Sequence, residues 1–158
     1  MTIPLLQYLP EARDELLDRL QNAQRVGLAT NVDGAGFDPA AAASWATSIA
    51  DPGMRVRAVG SVARTWASSS PAQAAAWIGN LNDPGARNSA TEVYSSTLAR
   101  TDPSTAAQWA TTISDAGARD RAVANVVRRW RRADAPAANA FVQTSPALPP
   151  ELKQRLLR

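Results

Sequence analysis

Arginine supplies most of the side chains in this sequence that could do chemistry. Of the 17 basic residues 16 are Arg and Lys153 is the one Lys, against 14 acids, which gives a formal net charge of +3. The excess is local. Arg119, Arg121, Arg128, Arg129, Arg131 and Arg132 share their stretch with Asp120 alone, whereas residues 1–37 carry three Arg against five acids. On a helix, Arg121, Arg128 and Arg132 fall on one face, away from the apolar stripe. Arg57 and Arg64 take the first two of those positions earlier in the chain. Guanidinium groups in a row suit carboxylate or phosphate recognition, because each presents a planar fork of donors on a permanent charge. Trp130, inside RRWRR, adds a ring on which a ligand could stack. The candidate partner-binding residues are therefore Arg57, Arg64, Arg121, Arg128, Arg129, Arg132 and Trp130.

Catalysis has little to work with. The chain has no His and no Cys, which excludes Ser-His and Cys-His nucleophiles and zinc held by His or Cys. Carboxylates, Tyr8, Tyr94 and Lys153 remain as acid/base candidates, and most of the Asp residues have a structural explanation as helix caps. Glu11, Asp14, Glu15 and Asp18 crowd one segment, but with Ala12, Leu16, Leu17 and Leu20 they read as an amphipathic helix with an acidic face. Asp33-Gly34-Ala35-Gly36 lacks the spaced carboxylates of a calcium loop and the strand-helix context of a phosphate loop, and reads as a flexible turn. The expectation is a protein that is not an enzyme and has no metal or cofactor.

The elements that must carry the arginines follow from an internal period. Trp45, Trp77 and Trp109 are 32 residues apart, with Phe141 continuing the series; Trp66, Leu98 and Trp130 form a second series, and Asp51, Asp83 and Asp115 a third. Residues 38–69 and 102–133 agree at 17 of 32 positions. The middle unit, 70–101, is more divergent but keeps Pro71, Trp77, Asp83, Gly85 and Arg87 in register.

Each unit reads as two helices. The first opens at Asp38-Pro39, Ser70-Pro71 or Asp102-Pro103, where a side-chain oxygen can cap free N–H groups and Pro suits the first turn. Apolar residues then recur at Ala42, Trp45, Ala46 and Ile49, and at Ala74, Trp77, Ile78 and Leu81, one stripe of a helix. The second helix opens at Asp51-Pro52-Gly53, Asp83-Pro84-Gly85 or Asp115-Ala116-Gly117. Its stripe is Ala58, Val62 and Trp66, matched by Ala90, Tyr94 and Leu98 and by Ala122, Val126 and Trp130. One pair cannot bury such stripes, so neighbouring units must stack. Paired alanines at 42/43, 74/75 and 106/107 allow close backbone approach, and Trp45, Trp77 and Trp109 are expected to fill the core between layers.

The pattern Asp51-x3-Arg55-x2-Ala58-x3-Val62, repeated from Asp83 and from Asp115, resembles the second helix of short HEAT-like repeats. The Pro-x5-Trp opening of each first helix is similar to the tetratricopeptide pattern, with a period about two residues shorter. The resemblance covers about 96 of the 158 residues and is one of architecture. It implies a right-handed superhelical stack that presents a concave surface to peptides, protein domains or, less often, nucleic acid. It also implies a ladder between repeats made by Asp51/Arg55, Asp83/Arg87 and Asp115/Arg119.

The fold expected is thus all-α, a right-handed αα-superhelix (solenoid) of 32-residue helix-pair repeats in a single domain over 1–158. Residues 1–37 form an N-terminal capping helix and loop, 38–69, 70–101 and 102–133 the repeats, and 134–158 a partial repeat. The SPALPP segment at 145–150 delays the last helix to about Pro150–Leu157, a terminal cap. No run of about 18 apolar residues is present, and MTIPLLQYLP lacks the basic start of a secretory signal, so the expected location is the cytoplasm. The expected function is a protein-interaction scaffold or adaptor that meets an acidic surface or segment of another protein through the Arg-bearing face. A nucleic-acid-binding repeat protein is the alternative, disfavoured because Ser89 and Ser96 interrupt the basic stripe and a charge of +3 offers little counterion release. An inhibitory or regulatory protein that occludes a partner surface is the second.

Overall fold

A computed structural model describes residues 38–158, and these are all-helical. The N-terminal capping helix, the acidic segment and the Asp33-Gly34 turn lie outside the described residues. Contacts divide the chain into two compact units, Met1–Ser44 and Trp45–Arg158, and helix α1 (Pro39–Ser48) carries the boundary. In the first unit Asp38 Oδ1 accepts the N–H groups of Ala40 and Ala41 at 3.0 and 3.1 Å, starting α1.

In the second unit α1 is followed by α2 (Pro52–Ser69), α3 (Pro71–Gly79), α4 (Pro84–Leu98), α5 (Pro103–Thr111), α6 (Ala116–Ala133), α7 (Ala135–Thr144) and α8 (Pro150–Leu157). The starts have a common cause. Asp51, Asp83 and Asp115 hold extended backbone angles, and their carboxylates accept the N–H of Met54, Ala86 and Ala118 at 2.6, 3.0 and 2.7 Å. Asp102 and Asp134 do the same for Thr105 and Ala137, both at 2.9 Å. Each such bond satisfies a donor that the helix itself leaves free. Ser70 departs from the expected pattern, since its side chain makes no capping bond. Its backbone angles resemble those of Asp102 and Asp134, so the difference lies in the side chain rather than in the backbone.

The long helices α2, α4 and α6 pack on one another in order, and α2 against α4 is the most extensive interface. Gly60 explains that closeness: a Cβ there would stand 2.9 Å from Ser89 Oγ, and Ser89 in turn donates to the Val56 carbonyl across the interface at 3.3 Å. α4 and α6 meet over a smaller area. Of the short helices, α3 packs on α2 and α4, α5 on α4 and α6, and α7 on α6, while α8 closes on α6 and α7. Leu148 and Leu152 are buried there, Lys153 Nζ donates to the Gln143 carbonyl at 3.0 Å and Arg155 pairs with Asp120 at 2.8 Å.

Aromatic pairs join a long helix to the short helix after the turn. Trp66 meets Trp77 with centroids 5.6 Å apart, Tyr94 meets Trp109 edge-on at 5.1 Å, and Trp130 meets Phe141 at 5.8 Å. Such pairs contribute about 0.5–1.5 kcal/mol beyond the area they bury. The burial is distributed otherwise than the sequence suggests. Trp66 and Trp130, near helix ends, are buried, whereas Trp45, Trp77 and Trp109 are half-buried. The interior is instead made by Val59, Ile78, Ile113, Val123, Val127 and Val142 with the alanines.

Ile78→Ala and Ile113→Ala should each lower the unfolding free energy by about 2–5 kcal/mol, read by urea denaturation followed through tryptophan fluorescence. Met54→Ala, at an exposed position, should change it by less than about 0.5 kcal/mol.

Candidate functional site

The three long helices enclose one side of a groove of about 450 Å³. α2 contributes Arg64 and Ser68, one turn apart. α4 contributes Glu92, Val93, Ser96 and Thr97, with Arg100 just beyond its end. α6 contributes Ala122, Asn125, Val126 and Arg129, the i, i+3, i+4, i+7 stripe of a single helical face. The groove lies where α4 and α6 meet over less area than α2 and α4 do. Its charged lining residues are Arg64, Arg100, Arg129 and Glu92. Among the described residues Arg64, Arg100 and Arg129 have no hydrogen-bonding or ion-pair partner for their guanidinium groups, and all three are exposed.

The sequence-predicted site residues divide. Arg64 and Arg129 enter the groove. Arg57 and Arg121 are exposed but fold back over the first turns of their own helices, where a Cβ on Gly53 would lie 4.0 Å from Arg57 Nη2 and one on Gly117 3.3 Å from Arg121 Nη1. Arg128 donates to Asn125 Oδ1 on its own helix, and Arg132 is exposed. Trp130 is 8% exposed and packs on Phe141, so burial keeps its ring from offering a stacking surface. Arg100 was missed by the sequence reading. Its signal was present, since it stands 32 residues before Arg132, but Ser89 and Ser96 at the other two positions of that face make the middle unit look uncharged there.

Other polar groups are committed to structure. Arg55 reaches from α2 to the Asp83 carboxylate at the start of α4, with Nε to Oδ2 at 2.8 Å and Nη2 to Oδ2 at 2.7 Å, and also donates to the Ile49 and Ala50 carbonyls at 2.7 and 3.1 Å. This is a cross-connection of the kind implied by the HEAT-like resemblance. The equivalent residues do otherwise: Arg87 donates to the Gly79 carbonyl at 3.0 Å, and Arg119 stands 3.9 Å from Asp120. Between α4 and the start of α6, Asn88 exchanges hydrogen bonds with Ser114 at 2.9 to 3.0 Å. A second hollow of about 460 Å³, bounded by Trp77, Asn80 and Asp83, contains the Arg55–Asp83 pair, whose charges are already matched.

No family model, curated protein or solved structure matches this chain. Its function must be argued from geometry. Among the described residues no three His, Cys, Asp or Glu side chains come together as a metal-holding group, and no helix is long and apolar enough to cross a membrane. The shifted acids are caps. The Ala86 N–H, and after it Arg55, hold the Asp83 carboxyl below its ordinary range, and the Thr105 hydroxyl and N–H do so for Asp102. Burial, with Asp102 nearby, pushes the Tyr94 phenol up, and its hydroxyl donates to the Pro71 carbonyl at 3.2 Å. It is occupied in packing.

Because Asn can cap as Asp does, Asp83→Asn isolates the bond to Arg55 from the cap. It should lower Tm at pH 7 by a few degrees more than Asp51→Asn, measured by calorimetry. A carboxyl lowered by folding stabilises above its unfolded value, near 3.8, and loses that effect as pH falls through the folded value. The difference between the two variants should therefore vanish in acid.

Proposed function

We propose that this chain is a non-enzymatic protein-interaction scaffold or adaptor that binds an acidic surface or segment of another protein through its arginine-bearing long helices. The observation that carries the reading is the disposition of charge. Residues 38–158 hold 14 of the 17 basic residues and 9 of the 14 acids. Six of those acids, Asp38, Asp51, Asp83, Asp102, Asp115 and Asp134, cap helix starts, and Asp120 is taken by Arg155. Few acids remain to answer the guanidinium groups on the long helices, and an outside carboxylate can supply what the fold does not.

The scaffold is read as a right-handed αα-superhelix of 32-residue helix pairs. Supporting this, the short helices start at Pro39, Pro71 and Pro103 and the long ones at Pro52, Pro84 and Ala116, and the long helices pack consecutively. Burial of Trp130 weakens the nucleic-acid alternative, because single-strand binders rely on exposed aromatic platforms.

Affinity capture from lysate tests this, with and without nuclease, using the wild type and a variant that carries Arg57→Ala, Arg64→Ala, Arg121→Ala, Arg128→Ala, Arg129→Ala and Arg132→Ala together. A protein partner that resists nuclease, carries an acidic segment and is weakened in the variant is the expected result. Recovery that depends on nucleic acid would transfer the reading to the alternative.

A further inference from the structure

We propose that the groove between α2, α4 and α6 is the binding site itself, and that it takes an extended acidic segment of a partner protein, its carboxylates held by Arg64, Arg100 and Arg129. The inference rests on the scaffold reading and narrows it from a helix face to one cavity. Three features select this place over the outer face of α6. The first is concavity: Arg64 of α2, Arg100 just beyond α4 and Arg129 of α6 line one hollow, whereas Arg121 and Arg128 are turned onto their own helix, against Gly117 and Asn125. A ligand inside it loses water on several sides, which strengthens each charged hydrogen bond.

The second feature is the state of the arginines. Arg55, Arg87, Arg119, Arg131 and Arg155 each have a partner within the fold. Among the described residues the guanidinium groups of Arg64, Arg100 and Arg129 have none; those of Arg57, Arg121 and Arg132 have none either, but it is Arg64, Arg100 and Arg129 that line one cavity. A carboxylate entering the cavity can therefore take charged hydrogen bonds that the fold leaves unused.

The third feature identifies the ligand. Ser68, Ser96, Thr97 and Asn125 line the groove with the arginines; Ser68 and Thr97 donate to carbonyls of their own helices and Asn125 Oδ1 accepts from Arg128, which leaves the hydroxyl lone pairs, the Ser96 hydroxyl and the Asn125 amide N–H groups for a peptide backbone. Glu92 lines the same groove. Its charge opposes a continuous phosphate track, while a peptide can set an N–H or a neutral side chain there. A volume of about 450 Å³ suits a few residues of extended chain, and its open, polar character is unlike the apolar enclosure of small-molecule sites.

The test is calorimetric titration of the full chain at low salt with N-acetylated, C-amidated hexaglutamate, and with a single-stranded oligothymidylate of equal charge. Three variants are compared: Arg64→Ala/Arg100→Ala/Arg129→Ala, the outer-face Arg121→Ala/Arg128→Ala/Arg132→Ala, and Glu92→Gln. All seven positions are exposed, so each variant should keep the wild-type helical circular dichroism and melting profile. Hexaglutamate should bind the wild type, bind the groove variant about tenfold more weakly, bind the outer-face variant within about twofold of the wild type, and bind Glu92→Gln more tightly. Loss in the outer-face variant with retention in the groove variant would overturn the groove assignment and leave the acidic-partner reading standing. Absence of hexaglutamate binding to the wild type, or tighter binding of oligothymidylate, would overturn both.

Discussion

The bond between an aspartate carboxylate and the free N–H of a helix's first turn is the interaction on which the rest of this structure depends. It sets where the chain stops being extended and starts being helical at Asp38, Asp51, Asp83, Asp102, Asp115 and Asp134. Proline follows directly at four of these, where its fixed backbone angle suits the first turn and its missing N–H costs nothing. The caps also decide the electrostatics. Acids spent on helix starts lie at the ends of the long helices rather than along them, so arginines such as Arg64 and Arg129 on the lateral faces meet no carboxylate within the fold. Arg55 is the exception that ties the two systems together, since it binds the Asp83 cap from the preceding long helix.

Much of the helical layout was legible because its signals are local. An Asp-Pro pair is its own start signal, and the delayed last helix follows from SPALPP, which gives α8 at Pro150–Leu157. What depends on tertiary placement was harder to read. Ser70 looks like a cap by residue type, yet its hydroxyl makes no capping bond in the folded chain. Trp45, Trp77 and Trp109 share a column in the sequence and are expected in the core, but burial follows the neighbouring helix: Trp66 and Trp130, which meet Trp77 and Phe141, are buried, while Trp77 and Trp109 are half-buried.

The groove was the least legible feature, for a geometric reason. Comparing equivalent positions groups Arg64 with Arg128 and leaves Arg129 with Thr65 and Thr97. The cavity draws instead on Arg64 from α2, Arg100 from the end of α4 and Arg129 from α6, positions that do not share a column. Helices that meet unequally place non-equivalent residues side by side. The close α2–α4 contact at Gly60 and the looser α4–α6 contact create that inequality, and no periodicity argument contains it.

The aromatic pairs have a further consequence. In α4 the ring moves one turn toward the helix start, with Leu98 at the place of Trp66 and Trp130 and Tyr94 at the place of Val62 and Val126, yet Tyr94 still meets Trp109. Three successive helix junctions thus hold three different chromophore pairs, Trp with Trp, Tyr with Trp and Trp with Phe. The molecule carries a distinct optical label at each junction. In variants that keep the chromophores of one pair and replace the remaining Trp residues, exciton coupling between Trp66 and Trp77, energy transfer from Tyr94 to Trp109 and the emission of Trp130 would each report the loosening of its own junction, without any dye attached.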